Sequence, residues 1–357
     1  MYTPAGNHFY ALLKKLHYKR YFHATMAPNN TASIEESVSP KNETEQKTEP
    51  KFKTEIVYTN VLLFIYLHLS FVYGVYLGLT TADSKTGIFS YIYGNIAGLG
   101  ITAGAHRLWS HRSYKAKLPL RIFLVILNSI AAQNDVYEWC RDHRVHHKFT
   151  ETDADPHNIK RGFFFAHMGW LMCRKHPAVK AKGKAVFLDD ILADPVVRFQ
   201  RKFYIPLVLL FSFYLPTMIP VWLWNETIWN SFFVSSMARY CFSLNVTWLV
   251  NSAAHMFGDR PYDKFIWASE NPIVAFFAHG EGWHNYHHVF PWDYSTSELG
   301  YSLNLTKIFI DFMALIGQAY DLKTAHPQLV KNRKLKTGDG TRIKSLEMTS
   351  SEYCATS

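Results

Sequence analysis

Four long stretches of the chain are apolar and almost free of charge, and polar segments separate them. They cover roughly residues 56–79, 87–108, 203–224 and 227–250. Each is close to the about 20 residues with which a helix spans a bilayer. A fifth apolar run, residues 122–132, is too short to span and is expected to lie at the membrane interface or under the bundle. The pattern predicts an all-α integral membrane protein with four transmembrane helices.

Charge predicts the orientation of these helices. The chain has a formal net charge of +10, and many of its Lys and Arg residues lie between the second and third spans. The short loops 80–86 and 225–227 hold one Lys and no Arg. By the positive-inside rule, the middle segment and both termini face the cytosol. Residues 109–202 and 251–330 are then expected to form a helical cap on that side.

The two ends of the chain are polar. Residues 1–53 are expected to be disordered, because they are rich in Ser, Thr, Asn, Glu, Lys and Pro. Within them, residues 1–25 hold basic but no acidic side chains, so they are either a leader peptide or sequence upstream of a start at Met26. Residues 331–357 form a polar and loose C-terminal tail. One membrane domain, residues 54–330, remains between the ends.

Three short boxes hold eight histidines, and two boxes share the spacing H-x-x-H-H. In the predicted topology all three boxes meet on the cytosolic side. Imidazole is a common ligand of iron, copper and zinc, so the boxes predict a polynuclear metal site rather than a set of surface histidines. A ninth candidate is His255, with Asn251 one helical turn before it. The eight histidines are His106, His111, His143, His146, His147, His284, His287 and His288.

Helical spacing brings the histidines of the second box together, and likewise those of the third, since residues three and four apart share a face. His106 and His111 are five apart, about 140° around an ideal helix. Either the helix ends or distorts between them, or they serve different metals, and the second alternative suits a dinuclear centre. The other histidines lack box spacing and are expected to make structural hydrogen bonds: His157, His167, His176 and His279.

The number of ligands favours two redox-active irons over zinc, which usually takes four ligands and has no redox chemistry. The chain contains no G-x-G-x-x-G fingerprint after a strand pattern and no P-loop. Reducing equivalents must therefore come from another protein. The four cysteines lack the spacing of a disulfide framework or a C-x-x-C site.

The boxes and their flanking segments resemble the animal membrane acyl-CoA desaturases of the stearoyl-CoA desaturase type, above all the insect branch. The resemblance covers about residues 57–340 and includes residues 100–109, 141–144, 152–157, 251–255 and 282–288. It implies an endoplasmic reticulum membrane protein in which a di-iron centre is itself the catalytic group, with no separate acid or base. The implied iron ligands, with the Asn acting through water, are His106, His111, His143, His146, His147, Asn251, His255, His284, His287 and His288.

The resemblance also implies the reaction. O₂ and two electrons, from cytochrome b5 and its NADH-dependent reductase, would introduce a cis double bond into a saturated fatty acyl-CoA. Δ9 is the default position, and Δ11 or another insect pheromone-type position is the alternative. The partners implied are the fatty acyl-CoA, cytochrome b5 with its reductase, and membrane lipids, and no nucleic acid. The implied CoA contacts are Asn60, Asn134, Arg141, Asp142, Arg174, Lys175 and Trp248, and the implied acyl-tunnel residues are Gln133, Trp139 and Thr247.

Other interpretations of these residues stay open. Without the resemblance, solvated charges are the better explanation of Arg174 and Lys175. Core packing explains the tunnel residues equally well. The same scaffold could serve an acyl-chain hydroxylase or conjugase. A membrane metal transporter or sensor is a different class, and it would need ligands along a path through the membrane.

A stripe of small residues leads to the first box. Gly94, Gly98, Thr102 and His106 follow one another at intervals of four residues. In the desaturases that the chain resembles, an aromatic residue at the position of Gly94 commonly caps the acyl tunnel. Glycine here predicts a deeper tunnel that accepts longer acyl chains, whereas close helix packing in the membrane is the alternative explanation.

Overall fold

The computed structural model describes residues 54–343, which are mostly helical; residues 1–53 and 344–357, with the predictions made for them, lie outside this part of the chain. A two-stranded antiparallel sheet pairs β1 (Lys115–Ala116) with β2 (Ala319–Tyr320), with Lys115 opposite Tyr320. The α-helices are α1 (Tyr58–Thr80), α2 (Ser84–Leu99), α3 (Leu118–Ala131), α4 (Val136–Phe149), α5 (Phe163–His167), α6 (Pro177–Gly183), α7 (Asp189–Ala193), α8 (Pro195–Lys202), α9 (Tyr204–Val208), α10 (Leu215–Trp224), α11 (Ile228–Ser231), α12 (Arg239–Asn251), α13 (Pro272–Phe277), α14 (His284–Val289), α15 (Leu305–Leu315) and α16 (Pro327–Thr337).

Three π-helical stretches make longer continuous helices out of these elements. Gly100–Ser110 extends α2, Leu209–Tyr214 joins α9 to α10, and Phe232–Ala238 joins α11 to α12. Short 3₁₀ turns cover Ile159–Arg161, Gly169–Leu171 and Ala253–His255. The π-helical stretches matter for the site, because an i→i+5 hydrogen bond changes which residues share a face.

Two helices are long and apolar enough to cross a membrane, α1 and the continuous helix Tyr204–Trp224. Only 22% of the most apolar 18-residue stretch of each helix is buried, so most of these side chains face outward, as they would in lipid. Among the described residues, the prediction of four spans is confirmed in these two helices alone. The other two predicted spans are helical, but both bury polar side chains that lower their apolar character, such as Thr102 and Arg107 in the second and Ser235 and Arg239 in the fourth.

The extension of α2 carries the first histidine box and packs closely on α3. An ideal Cβ on Gly100 would lie 2.2 Å from the backbone nitrogen of Asn128, so only glycine allows this approach. Helix α3, which covers the short fifth apolar run, buries Leu120, Leu124 and Leu127 against its neighbours and exposes Ile122 and Phe123. The first box is therefore fixed by backbone-to-backbone packing on an amphipathic helix.

The C-terminal part of the described chain packs against the third histidine box. The amine of Lys334, on α16, is bound to Glu298 at 2.6 Å and its side chain is 7% exposed. Arg342 reaches Glu270 at 3.0 Å, and Glu270 in turn accepts a hydrogen bond from the backbone of Tyr286 in α14. The prediction of a loose tail from residue 331 is therefore wrong as far as Arg342, since packing against the cap outweighs the polar composition of this segment.

Candidate metal centre

The first histidine box lies on the π-helical extension of α2. The backbone N–H of His111 donates to the carbonyl of His106 at 3.1 Å, five residues back. This wider turn brings the two imidazoles to the same side, with ring centroids 4.9 Å apart. Of the two explanations for their spacing, the helix is distorted, and both imidazoles fall in the same histidine group.

Nine histidines form two adjoining groups, and within each group the ligand nitrogens lie within 4.8 Å of one another. In the first group Nε2 of His106 lies 2.9 Å from Nε2 of His287. In the second group Nε2 of His284 lies 3.0 Å from Nε2 of His255. The first group is His106, His111, His143, His147 and His287, and the second is His146, His255, His284 and His288.

The second and third boxes each contribute to both groups. In the second box His147 belongs to the first group and His146 to the second, and in the third box His287 and His288 divide in the same way. The rings of His147 and His288 stack with centroids 4.2 Å apart across the boundary. The second and third boxes therefore each place ligand nitrogens in both groups, and the boxes build one centre with two halves.

The donor set fits transition metal ions. A neutral imidazole has one N–H, so nitrogens that converge to about 3 Å leave lone pairs directed at a shared point. Nε2 of His146 is buried without a hydrogen-bond partner. Burial, reinforced by the neighbouring imidazoles, lowers the pKa of His143, His147 and His287 far below the usual value, so that the rings are neutral ligands at neutral pH. An all-imidazole set suits iron, copper or zinc rather than magnesium or calcium.

Two carboxylates that were not predicted from the sequence contact the far nitrogens of the histidines. Nδ1 of His106 lies 2.9 Å from Oε2 of Glu281, and Nδ1 of His146 lies 2.9 Å from Oδ1 of Asp155. Burial alone would raise the pKa of Glu281, but Arg107 and His106 outweigh it and lower the pKa to about 2. Asp155 lies within residues 152–157 and Glu281 directly precedes residues 282–288, two segments that carry the family resemblance. This position in the sequence was the one signal that pointed to them.

Two cavities meet at this centre. The first, of 410 Å³, runs along α2 from Gly87 past Gly94 and Gly98 to His106. The second, of 190 Å³, is lined by Asn134, Asp142, Gln133 and Trp248, among others. Both are lined by Trp139, His143, Thr247 and Asn251.

The junction of the cavities is built by the predicted tunnel residues. Nε2 of Gln133 donates to Oγ1 of Thr247 at 2.9 Å. The ring of Trp139 stacks on His143 with centroids 4.8 Å apart. A flexible chain that enters both cavities therefore has to pass beside the histidines.

The predicted CoA contacts fall into three kinds. Asn134, Asp142 and Trp248 line the second cavity. Arg141 and Lys175 form salt bridges to Asp142 beside it. The remaining two contact protein groups, since Asn60 donates to the carbonyl of Leu171 at 2.7 Å and the exposed Arg174 pairs with Glu55 at 2.9 Å.

The other four predicted histidines lie outside the two groups of nine, although His157 clusters with His146 and Asp155. Nδ1 of His157 lies 3.5 Å from Asp155. His167 lies within hydrogen-bond distance of Ser252 and Asn245. His279 has a positive φ of 57° and its Nε2 lies 3.0 Å from Oδ1 of Asn95. His176 caps α6 by accepting from the backbone of Ala178.

Comparison with known proteins agrees with this site. The family model described as fatty acid desaturase matches residues 85–301. The chain is 58% identical to an acyl-CoA Delta-9 desaturase of Acheta domesticus, over 83% of each chain. It is 55% identical to an acyl-CoA Delta(11) desaturase of Spodoptera littoralis, over 83% of this chain and 88% of that one. It is 56% identical to stearoyl-CoA desaturase 5 of Homo sapiens, over 81% of this chain and 87% of that one. The chain belongs to the fatty acid desaturase family, and with its two apolar helices it is a membrane protein.

Proposed function

We propose that this protein is an acyl-CoA desaturase, which introduces a cis double bond into a saturated acyl chain with O₂ as co-substrate. The observation that carries the proposal is the meeting of two cavities at a centre of nine histidines. One cavity is long and glycine-lined, and the other has polar residues at its wall. A thioester-linked acyl chain has the matching shape, with an apolar end and a polar end.

The residues around the junction would position the chain. Trp139 and the Gln133–Thr247 hydrogen bond form the wall where the cavities join. A chain bent at this point would present two adjacent methylenes to the histidines. Because methylenes are chemically alike, the position of the double bond would follow from where the wall holds the chain.

The nine histidines, with Asn251 through a water, would hold two iron ions. Iron supplies the redox chemistry that activates O₂, which zinc does not. The protein's own contribution is to hold the ligands in fixed orientation and to keep the acyl chain in an apolar cavity beside them.

The CoA group would lie outside the second cavity. Arg141, Lys175 and Arg174 would bind its phosphates, since Arg and Lys are the usual phosphate-binding side chains. Asn60, Asn134, Asp142 and Trp248 would contact the adenine and the pantetheine amides. Binding would require Lys175 or Arg141 to exchange part of its pairing with Asp142 for phosphate.

Electrons would come from cytochrome b5 and its NADH-dependent reductase. The net charge of +10 supports a basic cap that attracts an acidic electron donor and the CoA phosphates.

We infer a location in the endoplasmic reticulum membrane with four spans and both termini in the cytosol. The spans would be α1, α2 with its extension, Tyr204–Trp224 and the helix that ends at Asn251. The two less apolar spans would pack inside the bundle. The gathering of all nine histidines in one centre supports an even number of crossings between the second and third boxes. It also disfavours a transporter, whose ligands would follow a path through the membrane.

The double-bond position is proposed as Δ9, with Δ11 as the alternative. Overall similarity does not separate them, since relatives named for Δ9 and Δ11 are 58% and 55% identical to this chain. The first cavity continues beyond Gly94 as far as Gly87, which supports acceptance of long acyl chains.

Expression in a desaturase-deficient yeast tests the proposal, because yeast supplies its own cytochrome b5 system. Cells are fed saturated acids of several lengths, and double bonds are located by mass spectrometry. New monounsaturated acids are the expected result and fix position and chain length together. Hydroxylated or conjugated products would assign the alternative chemistry, and no new product from iron-loaded protein would contradict the proposal.

A further inference from the structure

Each half of the histidine centre has one ligand whose far nitrogen faces a carboxylate. Among residues 54–343, two of these nine histidines have a ring nitrogen within 4.0 Å of a carboxylate oxygen, His106 beside Glu281 in the first group and His146 beside Asp155 in the second. Both distances are 2.9 Å. Glu281 is 5% exposed and Asp155 is 4% exposed. The symmetry of one carboxylate to each group is not required by the histidine spacing.

Both carboxylates are held rigidly by groups other than the histidines. Arg107, which is fully buried, donates from Nε to Oε1 of Glu281 at 3.0 Å and from Nη1 to the carbonyl of Tyr294 at 2.8 Å. Asp155 accepts backbone N–H groups from Glu151 at 3.1 Å and from His157 at 3.1 Å. Oδ1 of Asp155 is within hydrogen-bond geometry of Nδ1 of His146, whereas Oε2 of Glu281 lies close to Nδ1 of His106 without forming a regular hydrogen bond. A carboxylate held beside Nδ1 favours the proton on that nitrogen, so that Nε2 is the ligand atom.

The two carboxylates differ in charge compensation. Glu281 is paired with the guanidinium of Arg107, at 2.9 Å from Nη2. In the described chain, Asp155 has no salt bridge to Lys or Arg, and its ring contacts are the imidazoles of His146 and His157. An uncompensated carboxylate makes its imidazole a stronger electron donor than a compensated one does.

We propose that Glu281 and Asp155 are positioning residues, one for each metal, and that their unequal compensation makes the two metal sites electronically different. Glu281 orients His106 for the metal of the first group, and Asp155 orients His146 for the metal of the second. The site beside Asp155 is the more electron-rich. This inference rests on the two-metal centre proposed above.

Mössbauer spectra and iron content of the purified, iron-loaded protein test the inference. Glu281→Gln and Asp155→Asn keep the shape of each side chain and remove its charge. Wild type is expected to show two ferrous signals. Each variant should shift one signal, and a different one, and should weaken the retention of one iron about ten- to hundredfold, as loss of such outer partners does elsewhere.

Two further variants serve as controls, one for loss of a carboxylate elsewhere in the cap and one for misfolding of Glu281→Gln. Glu298→Gln removes another cap carboxylate, which pairs with Lys334 and contacts no ligand histidine, and it should leave both signals in place. Glu281→Gln leaves Arg107 buried without its anion, so Arg107→Met combined with Glu281→Gln removes both charges if the single variant does not fold.

The outcomes separate the possible failures. Both signals unchanged in both variants, or both signals shifted equally by each, would overturn the assignment of one carboxylate to one metal. Identical signals in wild type would overturn the electronic difference. Wild type that binds no iron would instead contradict the proposed centre itself.

Discussion

The imidazole of His279 occupies the space in which a side chain at Gly98 would lie. An ideal Cβ on Gly98 would be 2.5 Å from Cε1 of His279. The ring is held there by Asn95, at 3.0 Å from Nε2, and both Gly98 and His279 line the first cavity. Glycine at position 98 therefore allows the loop before the third box to pack closely against the helix that leads to the metal centre.

Gly98→Ala is expected to displace His279. The displaced ring has to enter the first cavity or push α2 away, so thermal stability and product yield should both fall, with a loss of about 1–3 kcal/mol typical of overpacking. Thermal unfolding in detergent and product analysis measure the two effects. Gly87→Ala is the matched control for stability, because a Cβ there meets no atom within 4 Å.

Removing the displaced ring should rescue the alanine variant. In Gly98→Ala with His279→Ala, the new methyl group fits into the space that the imidazole leaves. The double variant should therefore be more stable than Gly98→Ala alone. If it is no better, the contact between these two residues is not the reason for the glycine.

Gly94→Tyr is expected to shift the products toward shorter chains. A Cβ at Gly94 would lie 3.2 Å from Cγ of Arg239, so the larger side chain has to extend along the cavity, which continues beyond it toward Gly87. The measurement is the chain-length distribution of the monounsaturated products. Gly94→Ala, which adds one methyl group, should shift the distribution less, and an unchanged profile for Gly94→Tyr would exclude Gly94 as a determinant of chain length.

Replacing His146 and His147 together by Ala should abolish activity and metal binding while membrane insertion persists. The two adjacent residues belong to different groups, so the double variant removes one ligand from each half of the centre. Metal content, product analysis and membrane fractionation measure the three properties. His326→Ala, which loses an exposed histidine that caps α16, is the control. Turnover by the double variant would contradict the metal assignment.

The stability of Glu270→Gln relative to wild type should increase as the pH rises. Burial raises the pKa of Glu270 from 4.5 to about 7, although Arg342 acts in the opposite direction. The stability that the protonated carboxyl contributes is complete below pH 4.5 and is lost as the pH rises to about 7. For a pKa shift of this size the loss is about 3 kcal/mol. Glutamine carries no such dependence.

Thermal unfolding at pH 5 and pH 8 compares this variant with wild type. The unfolding midpoint of Glu270→Gln, relative to that of wild type, should be higher at pH 8 than at pH 5. A movement in the opposite direction would mean that Arg342 stabilises the ionised carboxylate more than burial penalises it.

Local spacing explains how much of the site could be predicted. His143 and His147 lie four apart on an ordinary helix, so their convergence follows from the sequence. His106 and His111 do not converge on an ideal helix, and the choice between distortion and separate metals needed the π-helical turn. The contacts of Glu281 and Asp155 with the histidines involve residues distant in sequence or in a loop, and no periodicity predicts them.

The sequence by itself determined the long helices and the set of histidines, because apolar run length and ligand chemistry are local properties. Two of the predicted spans contain polar side chains such as Arg239, and what these contact was not visible in the sequence, because partners such as the carbonyl of Ser212 come from other helices of the folded bundle. The tertiary structure decided which histidine joins which metal group, how the two cavities meet, and that the segment around Arg342 packs on the cap. These depend on contacts between elements far apart in the chain, which the periodicity of a single segment does not contain.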